Sequence, residues 1–211
     1  MRFDFLGKTN YHSAFTLVEL LVSIGIFLLL GAAITGFVAY AWHGRLVVWE
    51  ALSTQNEGRR VVRDFTNELR SATQSSVGGY ALEKAASQEI IFYSNIDTDS
   101  WRERVRYFLS STSTLKKGIT KPSGSPLRYA TSTTEVITDV VHDVAVGTSS
   151  LFYYYNQDYN GNNATATLSY PIDLAKVRMV EIRLMLDENP TLSPVPLYIS
   201  GKAEVRNLKA N

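Results

Sequence analysis

Ala14-Phe15-Thr16-Leu17-Val18-Glu19-Leu20-Leu21-Val22-Ser23, continued as IGIFLLLGAAITGFVAYAW over residues 24–42, is the stretch that decides the fold. From Leu20 to Trp42 it carries no charged residue. That run exceeds the ~20 residues a helix needs to cross a bilayer. A helix buried in a soluble core usually keeps a polar face. Here only Ser23 and Thr35 are clearly polar, and both can bond back to carbonyls of their own helix. The segment therefore reads as a membrane-spanning helix over 15–42. A secretory signal has a shorter apolar region of ~7–15 residues and a small-x-small cleavage site after it. Neither feature is present, and the apolar run leads straight into an amphipathic one.

Glu19 is the exception inside this segment. An ionised carboxylate costs about 2.5–3.5 kcal/mol near the bilayer centre and less at the interface, so its presence suggests a function. Read alone, it is equally well an interfacial residue with no special task. The first fourteen residues carry Arg2 and Lys8 against Asp4. This bias keeps the N-terminus cytoplasmic and sends the C-terminal portion to the periplasm or outside.

Beyond Trp42 the helix is predicted to continue to about Ala72. Val47, Ala51, Thr54, Gly58, Val61, Phe65, Leu69 and Ala72 recur at steps of three or four and form one apolar stripe. Glu50, Glu57, Arg59, Arg60, Arg63, Asp64, Glu68 and Arg70 mark a solvated face between them. Ser75 to Gly79 is the stop. Strands are expected at Glu89–Ser94, Arg102–Ser110, Thr114–Ile119, Leu151–Tyr155, Ala164–Tyr170, Val177–Leu186 and Leu197–Val205. Their apolar and polar residues alternate as half-buried antiparallel strands require. A short helix is expected over Thr134–Val144. The chain thus reads as α+β, with a long helix, transmembrane and then amphipathic, packed on an antiparallel sheet. The predicted organisation is 1–14, 15–42, 43–76 and a β-rich domain over 77–211.

The segment AFTLVELLVS (residues 14–23) closely resembles the prepilin signature of type IV pilins and type II secretion pseudopilins. There, a polar leader ends in a small residue, usually Gly, followed by Phe-Thr-Leu-x-Glu and an apolar run. The resemblance implies a pilin-like fold and cleavage of the leader 1–14 by a prepilin peptidase between Ala14 and Phe15. It also implies methylation of the new Phe15 amine, and assembly in which Glu19 pairs with the N-terminal amine of a neighbouring subunit. Ala14 stands where Gly is usual, and Gly36 where many major pilins carry Pro. With Gly25 and Gly31, Gly36 gives either a soft helix or a small-residue surface for close packing in the membrane. The pieces Arg104–Leu109 with Leu115–Lys117, Val136–Val141 before Leu151–Tyr155, and Val177–Leu186 resemble the J-type minor pseudopilin.

The implied partners are the prepilin peptidase, other minor and major subunits, the inner-membrane assembly platform and the membrane itself. A net charge of +1, from 21 basic and 20 acidic residues, gives no basic surplus for nucleic acid. Without cysteine there are no disulfides, thiolate metal sites or Cys nucleophiles. No cofactor or metal is expected. Asp158-Tyr159-Asn160-Gly161-Asn162-Asn163 opens like a calcium loop, but Asn163 and Ser169 stand where an EF-hand needs Gly and Glu, so an Asn/Gly turn is the simpler reading. His142 beside Asp143 lacks any nucleophile elbow. Tyr153 and Tyr155 share one sheet face, and at least one face of that strand should be core. Two classes of function remain, apart from an enzyme that no motif supports. One is a minor subunit that assembles into or primes a secretion pseudopilus or pilus. The other is a tip-displayed binding subunit, an adhesin or DNA-uptake pilin on the same anchor, which a basic groove or metal-dependent loop would favour.

Overall fold

Thr16 starts the first helix, α1 (Leu17–Arg70), as its N-cap: its carbonyl accepts the Leu20 N–H at 3.1 Å. The computed structural model describes residues 15–145, 150–161, 166–187 and 196–205. They fall into two units, one ending at Leu46 and the other beginning at Val47. The first unit is helix alone. Leu17–Trp42 is long and apolar enough to cross a membrane, and every residue from 15 to 42 is exposed within the chain. Ser23 donates to the Glu19 carbonyl at 2.7 Å and Thr35 to the Gly31 carbonyl at 2.5 Å, which hides both hydroxyls within the helix. The helix runs unbroken through Gly25, Gly31 and Gly36.

The second unit places the last turns of α1 against two antiparallel sheets. One sheet has five strands in sequence order: β1 (Leu82–Ala85), β2 (Glu89–Ser94), β3 (Glu103–Leu109), β4 (Leu115–Thr120) and β5 (Val136–Val141). The other holds β6 (Phe152–Tyr155), β7 (Met179–Leu186) and β8 (Leu197–Glu204) in that order. From Gly58 onward the apolar stripe is the buried face: Gly58, Val61, Phe65, Leu69 and Ala72, widened by Val62 and Thr66. Thr54 is half-buried, and the side chains of Val47 and Ala51 lie outside the described residues. Phe65 joins the layers. Its ring meets Phe92 and Tyr107 of the large sheet at centroid distances of 6.2 and 5.2 Å, edge-on, and Phe152 of the small sheet at 5.6 Å.

Two glycines let the helix approach the small sheet. A Cβ on Gly58 would lie 2.5 Å from Ile199 Cδ1 and 2.8 Å from Leu186 Cδ1. A Cβ on Gly201 would lie 2.2 Å from Val62 Cγ1. Real carbon atoms do not come so near, so a larger residue at either position would force Ile199, Leu186 or Val62 to shift.

Two expectations are corrected, and one strand is added. Thr134–Val144 is not a helix: helical turns are confined to α2 (Thr131–Thr134), and Val136–Val141 forms β5 along the open edge of β4. Its β-branched residues, Val136, Ile137, Thr138, Val140 and Val141, favour that ladder over a helix. Ala164–Tyr170 is not a full strand. Ala164 and Thr165 lie outside the described residues, and beyond them only Thr167 bridges Tyr155. Tyr170 turns away, donating its hydroxyl to the Phe152 carbonyl ahead of Pro171. β1 was not expected, because four residues with Glu83 and Lys84 at the centre carry too little pattern. At the end of α1, Ser75–Gly79 is a turn closed by the Ser75 N–H on the Gly79 carbonyl at 2.9 Å, with Gly78 at φ +88°.

Candidate assembly site at the head of the apolar helix

The head of α1 is built by local chemistry. The Glu19 N–H donates to Thr16 Oγ1 at 3.3 Å, satisfying one of the backbone donors that every helix start leaves open. Thr16-Leu17-Val18-Glu19 has the spacing of a capping box, Thr at the cap and Glu three residues on. That spacing is legible in the sequence itself, alongside the charge of Glu19. A carboxylate in the first turn is also stabilised by the helix dipole, whose N-terminus is positive. Among the described residues, no hydrogen bond or ion pair engages the Glu19 carboxylate. It projects from a ring of exposed apolar side chains that includes Phe15 and Leu17, 77% and 78% exposed. Leu17–Trp42 spans about 39 Å at 1.5 Å per residue, more than the ~30 Å of a hydrocarbon core. Glu19, two residues from one end, therefore falls near an interface when the helix spans the bilayer.

Phe15 stands just before the cap, outside the helix. Ala14 and the residues before it lie outside the described residues. An amine at Phe15 would belong to the short segment ahead of the helix rather than to its hydrogen-bonded turns.

The other sequence candidates are placed separately. Of the Asp158–Asn163 turn, Asn162 and Asn163 lie outside the described residues. In the described part, Asn156 Nδ2 donates to Asp158 Oδ2 at 3.0 Å, and Asn156 Oδ1 accepts the Asp158 N–H at 3.1 Å. His142 Nδ1 lies 3.3 Å from Thr114 Oγ1. In β6, Phe152 and Tyr154 form the core face, while Tyr155 on the other face is buried beneath Glu181, which accepts its hydroxyl at 2.5 Å. Burial, reinforced by that bond, pushes the Tyr155 phenol above its ordinary range.

The globular unit carries charge mainly in pairs. Glu68 of α1 accepts the Tyr107 hydroxyl at 2.8 Å and pairs with Lys117, tying helix to sheet. On the sheet's other face Arg104 grips Glu83 through two bonds of 2.7 Å, and Arg106 bonds Glu89 at 2.6 Å. Glu135 lies over Gly118 beside both arginines, where a Cβ would meet its Oε1 at 2.4 Å.

Residues 9–35 match the family described as the prokaryotic N-terminal methylation motif. The match covers the six residues ahead of Phe15, then Phe15, Thr16, Glu19 and the apolar span as far as Thr35. No curated protein and no solved structure matches the chain. The motif is of the prepilin type and supports a type IV pilin or pseudopilin family. Such a motif indicates a pilin-like structural subunit and implies processing by a prepilin peptidase and assembly with other pilin subunits. The apolar helix fits the membrane anchor of such a protein.

Proposed function

We propose that this chain is a minor pseudopilin or pilin that assembles into, or primes, a type II secretion pseudopilus or a type IV pilus and supports protein secretion. The observation that carries the reading is the methylation motif at 9–35, set on a helix head where the Glu19 carboxylate has no partner among the described residues. Cleavage between Ala14 and Phe15 removes the leader 1–14, and the freed amine of Phe15 is methylated. Residues 15–42 hold the chain in the inner membrane, crossing once, with the N-terminus cytoplasmic. Residues 43–76 carry the helix into a periplasmic domain over 77–211. Glu19 then pairs with the N-terminal ammonium of a neighbouring subunit. Two opposite charges that leave water together lose much of the cost each bears alone. The five-strand meander followed by β6 and β7 supports the J-type as the nearest subtype, because the resembling stretches lie in β3, β4, β5, β6 and β7.

Intact mass of the membrane-extracted protein tests this. The expected chain begins at Phe15 and is one methyl group heavier than the bare sequence. A chain that still begins at Met1 in cells containing the peptidase would overturn the reading.

A further inference from the structure

We infer that the open edge of β5 is the docking site of an extended, basic segment of another polypeptide. That segment adds to the large sheet as a further strand and sets its cationic side chains into the groove that Glu57 and Asp139 line. The inference does not depend on the filament reading. β5 ends the sheet order β1–β2–β3–β4–β5 and pairs with β4 alone. Among the described residues, the backbone groups of residues 136–140 make no backbone hydrogen bond outside that ladder. A row of unpaired N–H and C=O groups along a strand is a template for another strand.

The side chains of β5 call for a neighbour alongside rather than above. Successive residues of a strand point to opposite faces. Val136 is 63% exposed and Ile137 48% exposed, so apolar surface is bare on both faces of the same strand. A layer laid over one face would cover only one of them, whereas an added strand flanks both. The other edges are blunted. β1 has Glu83 and Lys84 at its centre, a register shift between Leu82 and Lys84, and the turn Leu174–Lys176 against it. β6 is met by residues 166–168: the Asn156 N–H donates to the Ala166 carbonyl at 3.0 Å and the Leu168 N–H to the Tyr154 carbonyl at 2.8 Å. β8 carries Gly201 and Lys202. Charges, bulges and covering segments are how sheets guard their edges. In β5 five of the six residues are β-branched, and Asp139 is its one charge.

The charge beside β5 selects the occupant. A groove of about 490 Å³ lies between α1 and the β4–β5 side of the sheet. Glu57, Asp64, Glu68 and Asp139 line it against Arg60 and Lys117, a formal charge of −2 with His142 neutral. Arg60 is taken up by Asp64 at 3.9 Å, and Lys117 by Glu68. That leaves Glu57, which is exposed, and Asp139, which Lys116 approaches at 3.1 Å but whose side chain stays 46% exposed. A second copy of β5 fits this edge badly, because it has no basic residue and brings one more carboxylate. A segment that alternates Lys or Arg with β-branched residues fits both features. Its apolar residues flank the bare face of β5, and its cations, all on the other side, meet the groove.

The edge is formed before any partner arrives. Val141, 2% exposed, anchors the end of β5 opposite Leu115, and just beyond it the Val144 N–H donates to the Ser113 carbonyl at 2.9 Å. A strand already held in place adds no ordering cost of its own to docking.

The test uses the full chain in nonionic detergent micelles and a fluorescent peptide, acetyl-TVKVKVT-amide, with acetyl-TVEVEVT-amide as its charge-reversed control. Anisotropy should show binding of the lysine peptide and none of the glutamate peptide. Glu57 and Asp139 are exposed, so E57Q and D139N should fold normally. Each should weaken binding by about two- to fivefold, the worth of an exposed charge pair. Two further lysine peptides carry N-methyl groups on alternate residues, one in each alternation. A strand turns only every second N–H toward a given neighbour. One alternation should therefore bind like the parent, and the other should lose at least about tenfold in affinity. Hydrogen exchange over residues 136–140 should slow when the lysine peptide is bound. No binding at millimolar peptide would overturn the proposal, as would equal binding by the glutamate peptide. Equal behaviour of the two methylated peptides would also overturn it, because the peptide would then be held by charge alone. Disulfide-linked T138C dimers that exclude the peptide would assign the edge to a second copy and overturn it too.

Discussion

Glu19 serves its own helix and is available to a neighbour, and the two roles separate by substitution. Thr16→Val removes the hydroxyl cap, which costs the helix start about 1 kcal/mol, but keeps the carboxylate. Glu19→Ala keeps the hydroxyl and removes the charge. Membrane insertion should be intact or easier in Glu19→Ala, because an ionisable group has left an apolar helix. Assembly should fail more severely than in Thr16→Val: one unpaired partner of a buried ion pair costs about 3–5 kcal/mol, less at a wet interface. Lys should be worse than Ala, and Asp partly active. Crosslinking to other subunits at matched protein levels checks the series, and equal assembly by Glu19→Ala would leave Glu19 only its place at the positive end of the helix dipole. The candidate site was legible because charge inside an apolar run is conspicuous at single-residue resolution.

At the scale of elements, α1 approaches β7 and β8 most closely at Gly58 and Gly201. Gly201→Ala should lower stability by about 1–3 kcal/mol, the usual range for overpacking. Val62→Ala opens the space that this methyl would enter, so the double variant should lose less than the sum of the singles. Thermal melts of the four chains measure the coupling, and strict additivity would disprove the contact. This part of the fold was only half legible. The stripe from Gly58 to Ala72 was readable because a helix repeats its face every three or four residues. Gly58 could be placed on that face, but the side chains that crowd it come from β7 and β8, more than a hundred residues later. β5 was misread for a related reason. Val136–Val141 alone carries the length of a short helix, and the open edge of β4 is what makes it a strand.

Across the globular unit, carboxylates and phenols set a window of stability. Burial pushes Glu83 up, but bonds from Arg104 and Tyr93 and the Arg104 charge outweigh it, leaving the group below its ordinary range. Burial is likewise outweighed at Glu89 by Lys84 and Arg106, and at Glu181 by Arg183 and Tyr155. Groups lowered by folding stabilise above their unfolded pKa, so this contribution is lost as pH falls below about 4.3. Burial pushes the phenols of Tyr107 and Tyr154 up, and that of Tyr93 with help from Glu83. Groups raised by folding stabilise below their unfolded pKa, so this share is lost as pH climbs past about 10. Melts of a chain beginning at Val47 should be cooperative, with a plateau between those limits and a fall on both sides. A melting temperature still rising at pH 11 would contradict the buried phenols.

The two glycine contacts have a mechanical consequence. Gly58 receives side chains from the sheet, and Gly201 receives a side chain from the helix, so each surface has a tooth and a socket. A helix keyed in this way cannot spin or slide against the sheet by one residue without driving Val62 into the β8 backbone. Torque or axial force applied to this part of α1 is therefore delivered to β7 and β8 as motion of the whole packed unit. Slippage would require the domain to come open, and the load at which it begins should fall when Val62 is trimmed to alanine.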